Sequence, residues 1–146
     1  MEISGPSSLM LTRRENRYMD VARAISKTSD YHGAKLGCVV AYNKNILSVA
    51  SNSEKTHTLQ KVYNKFRNFN PDEANNKLHS EIHALSWLIG KPINWSKIEL
   101  YIYRELKNGQ PAISKPCEAC SKLIKDLGIK TVFYINENGQ RVKQKV

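Results

Sequence analysis

The sequence predicts an α/β fold in which helices cover both faces of a β-sheet. Three segments carry apolar residues at helical spacing, and four short runs are apolar or alternate between apolar and polar positions, as strands do. In chain order they read helix, strand, strand, helix, strand, helix, strand. This order is typical of one sheet lying between layers of helices.

The first part of the chain predicts a helix followed by a β-hairpin. Four apolar side chains recur at helical spacing within residues 15–27: Tyr18, Val21, Ala22 and Ile25. Two compact apolar runs follow, at residues 36–42 and 46–50. Because only the short turn Asn43-Lys44-Asn45 separates these runs, we expect them to pair as the two strands of a hairpin.

A second helix and a third strand are predicted near the middle of the chain. Four apolar residues form one face of this helix: Ile82, Leu85, Leu88 and Ile89. Gly90 and Pro92 are expected to end it, because glycine adopts the conformation of a helix C-terminus and proline cannot continue a helix. Apolar residues then alternate with tyrosines over residues 98–103, which indicates a strand.

The last part of the chain predicts a third helix and a final strand. Pro116 is expected to begin this helix and Gly128 to end it. Its inward-facing positions are Cys120, Leu123, Ile124 and Leu127. The apolar run at residues 131–135 is the fourth predicted strand.

A chain of 146 residues has the length of one domain. We expect residues 1–12 to form a flexible tail, residues 13–137 the domain and residues 138–146 a disordered basic end. No run of 18 or more apolar residues and no secretory signal occurs, so we expect no membrane association and no export. Two of the three cysteines are spaced for a metal, and reduced thiols predict a cytoplasmic protein.

Two separated motifs carry the chemistry. They are His79-Ser80-Glu81, which reads H-x-E, and Pro116-Cys117-Glu118-Ala119-Cys120, which reads P-C-x-x-C. His79, Cys117 and Cys120 are zinc-ligand types, and three protein ligands leave the fourth position of the ion to water or hydroxide, as in catalytic sites. H-x-E followed by P-C-x-x-C is typical of zinc-dependent base deaminases. The motifs therefore predict an enzyme that binds one Zn²⁺ per chain.

Both motifs lie at predicted helix entrances, which allows their side chains to converge. Residues two apart within a regular helix point to different sides, so His79 and Glu81 can serve one ion only if His79 precedes the helix. Cys117 and Cys120 are three apart and share one face of a first turn. The positive end of the helix dipole favours the thiolates that zinc requires.

The remaining polar groups of the motifs have predicted roles in proton transfer and substrate binding. Glu81 is not a ligand and is expected to take a proton from water and deliver it to a ring nitrogen. The backbone N–H of Ser80 is expected to hold the carbonyl of the base. An alternative is a closed Cys2His2 site, since His83 lies four residues after His79; such a site has no open position and no activity. Cys38, within an apolar run, is expected to be an ordinary core thiol.

The chain carries a net charge of +10. Such a charge is expected to attract phosphate, either on a polynucleotide or on free nucleotides; the alternative is a solvated basic surface without a binding role. Residues 51–78 are the predicted place for substrate choice, because so long a segment without a clear element is often functional. Two sets of residues carry this hypothesis, the basic ones Lys55, His57, Lys61, Lys65, Arg67 and Lys77, and the aromatic ones Tyr63, Phe66 and Phe69. They could hold a 5′-phosphate, track a single strand, or simply pack on the domain.

Beyond these motifs, the chain resembles the deoxycytidylate deaminases of the cytidine deaminase superfamily, in their compact phage and bacterial form. The resemblance runs from about residue 16 to residue 135 and includes residues 18–26, residues 35–40, residues 46–48 and Asn52. It implies a mixed five-stranded sheet sandwiched by helices, one strand of which must lie in a segment without a predicted element or at an edge. It also implies His79, Cys117 and Cys120 as zinc ligands, Glu81 as proton shuttle, Asn52 as a substrate contact, and a homo-oligomer.

Three departures from the family pattern concern the substrate more than the chemistry. One is the net charge of +10, which is unexpected for an enzyme acting on a free mononucleotide. Residues 104–115, with a turn at Asn108-Gly109, separate the strand from the Pro-Cys motif, where the family commonly runs straight on. Ser80 replaces the more frequent alanine and keeps the backbone donor.

We expect a zinc-dependent deaminase of free cytosine nucleotides, with dCMP to dUMP the favoured reaction. Two alternatives stay open on the sequence. One is a deaminase of cytosine or adenine in single-stranded DNA or RNA, and the other is a non-catalytic, zinc-stabilised nucleic-acid-binding module.

Overall fold

The computed structural model describes residue 3 and residues 5–56, 58–64 and 77–146. Its helices and strands, in chain order, are β1 (Ser7–Ser8), α1 (Arg13–Ser26), β2 (Lys35–Tyr42), β3 (Asn45–Ser51), β4 (Ser53–Thr56), α2 (Thr58–Asn64), β5 (Lys77–Leu78), α3 (Ser80–Ser86), β6 (Ile98–Glu105), β7 (Pro111–Ala112), α4 (Glu118–Leu127), β8 (Thr131–Ile135) and β9 (Arg141–Lys145). A short 3-10 turn, Trp95–Lys97, precedes β6. Each predicted helix and strand has a counterpart among these elements.

The main sheet is mixed and has the order β1-β9-β8-β6-β2-β3, with β7 added beside β6. Strands β6 and β8 run parallel, because α4 connects them as a crossover, and the other pairs in this sheet are antiparallel. Strands β2 and β3 form the predicted hairpin. Its turn residues Asn43 and Lys44 have φ angles of 47° and 69°, the left-handed pair that a two-residue hairpin requires.

Each face of the sheet has its own hydrophobic core. On one face, Tyr18, Met19 and Ala22 of α1 pack over Tyr101 and Phe133, whose rings are stacked at 4.2 Å. The other face carries α3 and α4. Its core includes Ile82 and Leu85 from α3 and Leu123 and Ile124 from α4, over Val40, Leu100, Ile102 and Val132 of the sheet. The predicted α/β fold, with a mixed sheet between helices, is confirmed.

Helix α1 begins two residues earlier than predicted, because a capping box stabilises its first turn. The backbone N–H of Glu15 donates to the Thr12 hydroxyl at 3.1 Å, and the Thr12 N–H donates to the Glu15 carboxylate at 2.9 Å.

The prediction of a disordered basic end is wrong for Arg141–Lys145, which forms β9 and pairs with β8. Its residues alternate between cations that are half-buried (Arg141 and Lys143) or exposed (Lys145) and the buried side chains Val142 and Gln144, which are 5% and 6% exposed. Among the strands of the described residues, it is the fifth of five with at least five residues, so it supplies the strand that the family resemblance required. Part of the predicted flexible N-terminal tail is also packed, since Ser7–Ser8 pairs with β9 and Ile3 is 1% exposed.

Candidate active site

His79 is held at the entrance of α3, as the sequence predicted. Its backbone is extended, with φ −78° and ψ 150°, and it occupies the N-cap position. The preceding strand β5 and the following helix fix its direction, and its backbone N–H donates to Gln60 Oε1 at 3.0 Å. Gln60 is fully buried on α2 and donates in turn to Asn64 at 2.8 Å. Helix α2 therefore supports the backbone of the histidine.

Cys117 and Cys120 lie in the matching position on α4. Cys117 is the N-cap residue, with φ −69° and ψ 173°, and Cys120 is fully buried three residues on. The Nδ1 atom of His79 lies 3.6 Å from the Cys117 sulfur and 3.5 Å from the Cys120 sulfur. The ligand atoms of these three residues all lie within 4.8 Å of one another, so the entrances of α3 and α4 bring the two motifs together.

The dimensions of this cluster fit a zinc ion. A tetrahedral zinc with Zn–S bonds of about 2.3 Å and Zn–N bonds of about 2.0–2.1 Å separates a sulfur ligand from a nitrogen ligand by about 3.6 Å. The observed separations of 3.6 and 3.5 Å match that edge. One imidazole and two thiols are also the soft and borderline donors that zinc prefers.

The two cysteine thiols have unequal proton affinities. The hydrogen bond from Cys120 lowers the pKa of Cys117 well below its ordinary value, and the His79 ring lowers it further. Donation of that hydrogen bond, together with complete burial, raises the pKa of Cys120. One thiolate is thus available beside the imidazole at neutral pH, and binding of a cation releases the second proton.

Glu81 lies beside the cluster and is 3% exposed. Its Oε1 atom accepts a hydrogen bond from the Ser80 hydroxyl at 2.7 Å, and Ser80 is fully buried. A carboxylate held in this way on the first turn of α3 is a positioned proton acceptor next to three possible metal ligands.

A cavity of about 450 Å³ opens over the cluster, within the range of about 300–1,000 Å³ typical of small-ligand sites. All of the predicted site residues except Cys120 line it. The complete lining is Tyr31, Gly33, Ala34, Leu36, Asn52, Ser53, Leu78, His79, Ser80, Glu81, Arg104, Ile113, Ser114, Lys115 and Cys117.

Asn52, the predicted substrate contact, is 8% exposed and uses its side-chain amide to hold the neighbouring loop. Its Oδ1 accepts from the Ser29 hydroxyl at 2.6 Å and from the Leu36 N–H at 3.0 Å, and its Nδ2 donates to the Ala34 carbonyl at 3.0 Å. These bonds shape the cavity wall formed by residues 29–36.

His83 does not complete a fourth ligand position. Its Nδ1 atom lies 2.8 Å from the Ser51 carbonyl oxygen, and its ring packs edge-on against Trp87 at 4.9 Å. Among the residues that the structure describes, the group able to hold a metal consists of His79, Cys117 and Cys120 alone. The geometry thus favours an open site over the closed Cys2His2 alternative. Cys38 is fully buried in the sheet, as expected for a core thiol.

Only the edges of residues 51–78 reach the cavity within the described chain, through Asn52, Ser53 and Leu78. Lys55 and Lys61 lie elsewhere on the surface. Tyr63 donates to Asp126 on α4 at 2.8 Å, so it packs on the domain. His57, Lys65, Phe66, Arg67, Phe69 and the side chain of Lys77 lie outside the described residues.

Sequence reasoning missed two cations in the cavity wall, Arg104 and Lys115. They are the first and last residues of the segment 104–115, which the sequence placed between the predicted strand and the Pro-Cys motif; in the structure β6 continues through Arg104 to Glu105. That departure from the family pattern was the available signal. What it could not show is that both ends of the segment face the site.

The described chain contains no helix long and apolar enough to cross a membrane.

A mixed sheet between helices, with a His-Cys-Cys cluster and a buried carboxylate at two adjoining helix entrances, defines a zinc-dependent hydrolytic deaminase. The family model of the cytidine and deoxycytidylate deaminase zinc-binding region matches residues 12–136, and the chain belongs to this family.

Solved structures agree with this assignment. The apo form of dCMP deaminase from the cyanophage S-TIM5 is similar at 26% sequence identity with a TM-score of 0.61, over 88% of this chain and 86% of that one. The same cyanophage enzyme in complex with dCMP and dUMP matches at 23% identity with a TM-score of 0.54, over 84% and 81% of the two chains, and shows the likeness of fold. Among curated protein sequences, none matches significantly.

Proposed function

We propose that this protein converts dCMP and water to dUMP and ammonia, with His79, Cys117 and Cys120 holding one zinc ion per chain. The observation that carries the proposal is the triangle of these three ligand atoms, whose N–S edges are 3.5 and 3.6 Å, with Glu81 buried beside it. Family membership and likeness to a cyanophage protein named dCMP deaminase support a free nucleotide as substrate.

When bound, zinc supplies a Lewis acid that makes water nucleophilic near neutral pH. Glu81 accepts one proton from the attacking water and passes it to the ring nitrogen N3. The water oxygen forms a bond to C4, the carbon that bears the exocyclic amine. The second water proton goes to that amine, the C4–N bond breaks, and ammonia leaves. The water oxygen becomes the C4 carbonyl oxygen of dUMP and one of its protons stays on N3. The atoms therefore balance, and the reaction needs no oxidant or reductant.

The neighbouring groups position this chemistry. The Ser80 hydroxyl holds one oxygen of Glu81 at 2.7 Å and so leaves the other oxygen for the proton transfer. The backbone N–H of Ser80, at the first helical position of α3, is the proposed donor to the O2 carbonyl of cytosine. Asn52 is proposed to contact the sugar from the cavity wall that its own hydrogen bonds shape.

The test is ammonia release from dCMP by the zinc-loaded protein, followed together with the loss of cytosine absorbance. We expect turnover with dCMP and a loss of at least about 100-fold in Glu81→Gln, which keeps the shape of the side chain but cannot carry the proton. Glu118→Gln is the matched control, since Glu118 occupies the first turn of α4 but does not line the cavity. Absence of turnover with dCMP, in protein shown to contain zinc, would contradict the proposal; a single-stranded oligonucleotide would then be the next substrate offered.

A further inference from the structure

Arg104 lies on the same face of the sheet as the metal-ligand cluster. Residues alternate along β6: Leu100 and Ile102 belong to the core under α3 and α4, whereas Tyr101 and Tyr103 belong to the core under α1. Arg104 follows Ile102 by two positions and therefore projects toward α3 and α4. Its position at the end of β6 brings it into the wall of the cavity that His79 and Glu81 also line.

The guanidinium of Arg104 has unsatisfied hydrogen-bonding capacity. Its Nε atom is buried and has no hydrogen-bond partner among the described residues. Its Nη1 atom makes one long contact, 3.4 Å, to the Ile113 carbonyl oxygen. A buried donor without an acceptor is unfavourable, so such a group in a cavity wall indicates an acceptor supplied by a ligand.

No described carboxylate neutralises this arginine. Glu105, the next residue, is on the opposite face of the sheet, where its carboxylate lies 3.5 Å from Arg23 of α1. The ion pairs formed between described residues include neither Arg104 nor Lys115. The positive charge of Arg104 is therefore available to an anion that enters the cavity.

Lys115 supplies a second cation from a fixed piece of backbone. The preceding residue, Ser114, is 3% exposed, and its hydroxyl donates to the Ile102 carbonyl oxygen at 2.8 Å. The same hydroxyl accepts from the Ile135 N–H at 2.8 Å, and the Ser114 N–H donates to the Ile135 carbonyl at 2.9 Å. Ser114 thus joins β6 to β8, and Lys115 follows directly from this anchor, two residues before Cys117.

We infer that Arg104 and Lys115 bind the 5′-phosphate of the nucleotide and make the enzyme select monophosphates over nucleosides. The inference rests on the proposed function, because it takes the base to lie at Glu81 and the cluster. Arginine offers a planar fork that matches a phosphate, and lysine adds a point charge. Glu81 is the single carboxylate among the described lining residues, so the phosphate of a nucleotide meets cations at the wall formed by residues 104–115.

The experiment compares dCMP with deoxycytidine as substrates for the zinc-loaded protein and the variants Arg104→Gln and Lys115→Gln. We expect each substitution to lower kcat/KM for dCMP by about 10- to 100-fold, mainly through KM, because a charge-assisted hydrogen bond to the phosphate is lost. With deoxycytidine, which has no phosphate, kcat/KM should change by less than about threefold. Arg104→Lys should fall between the wild type and Arg104→Gln for dCMP, because it keeps the charge and loses the fork.

The matched control is Lys107→Gln. Lys107 is an exposed cation in the same segment but does not line the cavity, so its removal changes net charge equally and should leave both substrates unaffected. Zinc content and melting temperature report whether each variant is folded. Lys115→Gln keeps the inference testable if Arg104→Gln is unstable, because Lys115 lies outside the strands. Equal losses with dCMP and deoxycytidine, or no loss with dCMP in either variant, would overturn the inference.

Binding of dUMP and of inorganic phosphate, measured by calorimetry, separates this inference from the proposed reaction. If the wild type binds dUMP and Arg104→Gln weakens that binding at least tenfold, the phosphate site stands even where dCMP is not turned over. If the wild type turns over dCMP, and both Arg104→Gln and Lys115→Gln bind dUMP with the affinity of the wild type, the proposed reaction is supported and the phosphate site is contradicted. Binding of inorganic phosphate that Lys107→Gln weakens as much as Arg104→Gln does also counts against the site, since it indicates attraction by net charge alone.

Discussion

The Nδ1 atom of His83 lies 2.8 Å from the carbonyl oxygen of Ser51, on the strand that packs beside α3. This contact directs the imidazole to the edge strand β3. His79, one turn earlier, turns its own Nδ1 to the two cysteines. Two histidines four residues apart thus have different partners, because one precedes the helix and the other lies within it.

His83→Ala should therefore keep its zinc and most of its activity. We expect one zinc per chain by metal analysis and a kcat/KM for dCMP within about threefold of the wild type. The free energy of unfolding should fall by about 1 kcal/mol, the usual worth of one hydrogen bond, as measured by urea titration. A variant that purifies without zinc would instead support a closed Cys2His2 site.

Cys120→Ser should remove the metal. Cys120 is fully buried, and its sulfur lies 3.5 Å from His79 Nδ1. A serine hydroxyl at this position is not a thiolate ligand, and water cannot reach the buried position to take the place of the lost ligand. We expect zinc content to fall below about a tenth of the wild-type value and ammonia release to disappear with it. Prolonged dialysis of the wild type against a chelator should have the same effect and should be reversed by added zinc.

Metal removal should also lower the melting temperature, since an ion that binds only the folded protein stabilises it. Cys38→Ser is the matched control for the loss of a buried thiol, because Cys38 is equally buried but lies in β2 outside the cluster. It should keep its zinc. Equal zinc content in both variants would contradict the assignment of Cys120 as a ligand.

The local parts of this fold could be predicted from the sequence, and the non-local parts could not. The positions of His79 and Cys117 at helix entrances could be predicted, because the apolar face that starts at Ile82 marks one entrance and Pro116 marks the other. Strand β9 was missed because Val142 is the single apolar side chain among its five residues. Its other inward residue, Gln144, is satisfied by Tyr134 and by the carbonyl oxygens of Ile3 and Gly5, which are far away in sequence. The orientation of the Arg104 side chain could not be predicted either, because it depends on the continuation of β6 past residue 103, where the predicted strand ends.

Val142→Ala tests whether β9 contributes to stability. Val142 is 5% exposed and belongs to the core under α3 and α4, so removal of two methyl groups should cost about 1–2 kcal/mol of unfolding free energy. Lys130→Ala, at an exposed position just before β8, should change it by less than about 0.5 kcal/mol. Urea unfolding measures both. Equal stabilities for the two variants would indicate that residues 141–145 form a loose basic end after all.

Glu15 should make stability depend on pH. Burial by itself raises the pKa of this carboxyl, but the backbone N–H of Thr12, together with the Lys143 ammonium 3.0 Å away on β9, more than offsets it, so the pKa is lowered below its ordinary value of 4.5. A group whose pKa is lower in the folded state stabilises the fold above its unfolded pKa. That contribution is lost as the pH falls through the folded pKa.

We therefore expect Glu15→Gln to be less stable than the wild type by about 1–2 kcal/mol at pH 6.5, as for the loss of charge-assisted hydrogen bonds at a helix cap. The difference should shrink as the pH falls below 4.5, the ordinary pKa of this carboxyl, and through the lowered pKa of the folded protein, where the wild-type carboxyl becomes protonated. We expect the two proteins to lose zinc alike as the pH falls, because Glu15 lies on α1 outside the group His79, Cys117 and Cys120, so the difference between their urea-unfolding free energies isolates Glu15. Lys143→Gln should reproduce part of the effect at pH 6.5 and add little to Glu15→Gln, because the two side chains form one pair. A difference that stays constant from pH 6.5 to pH 3 would show that the substitution acts through packing and not through the charge of Glu15.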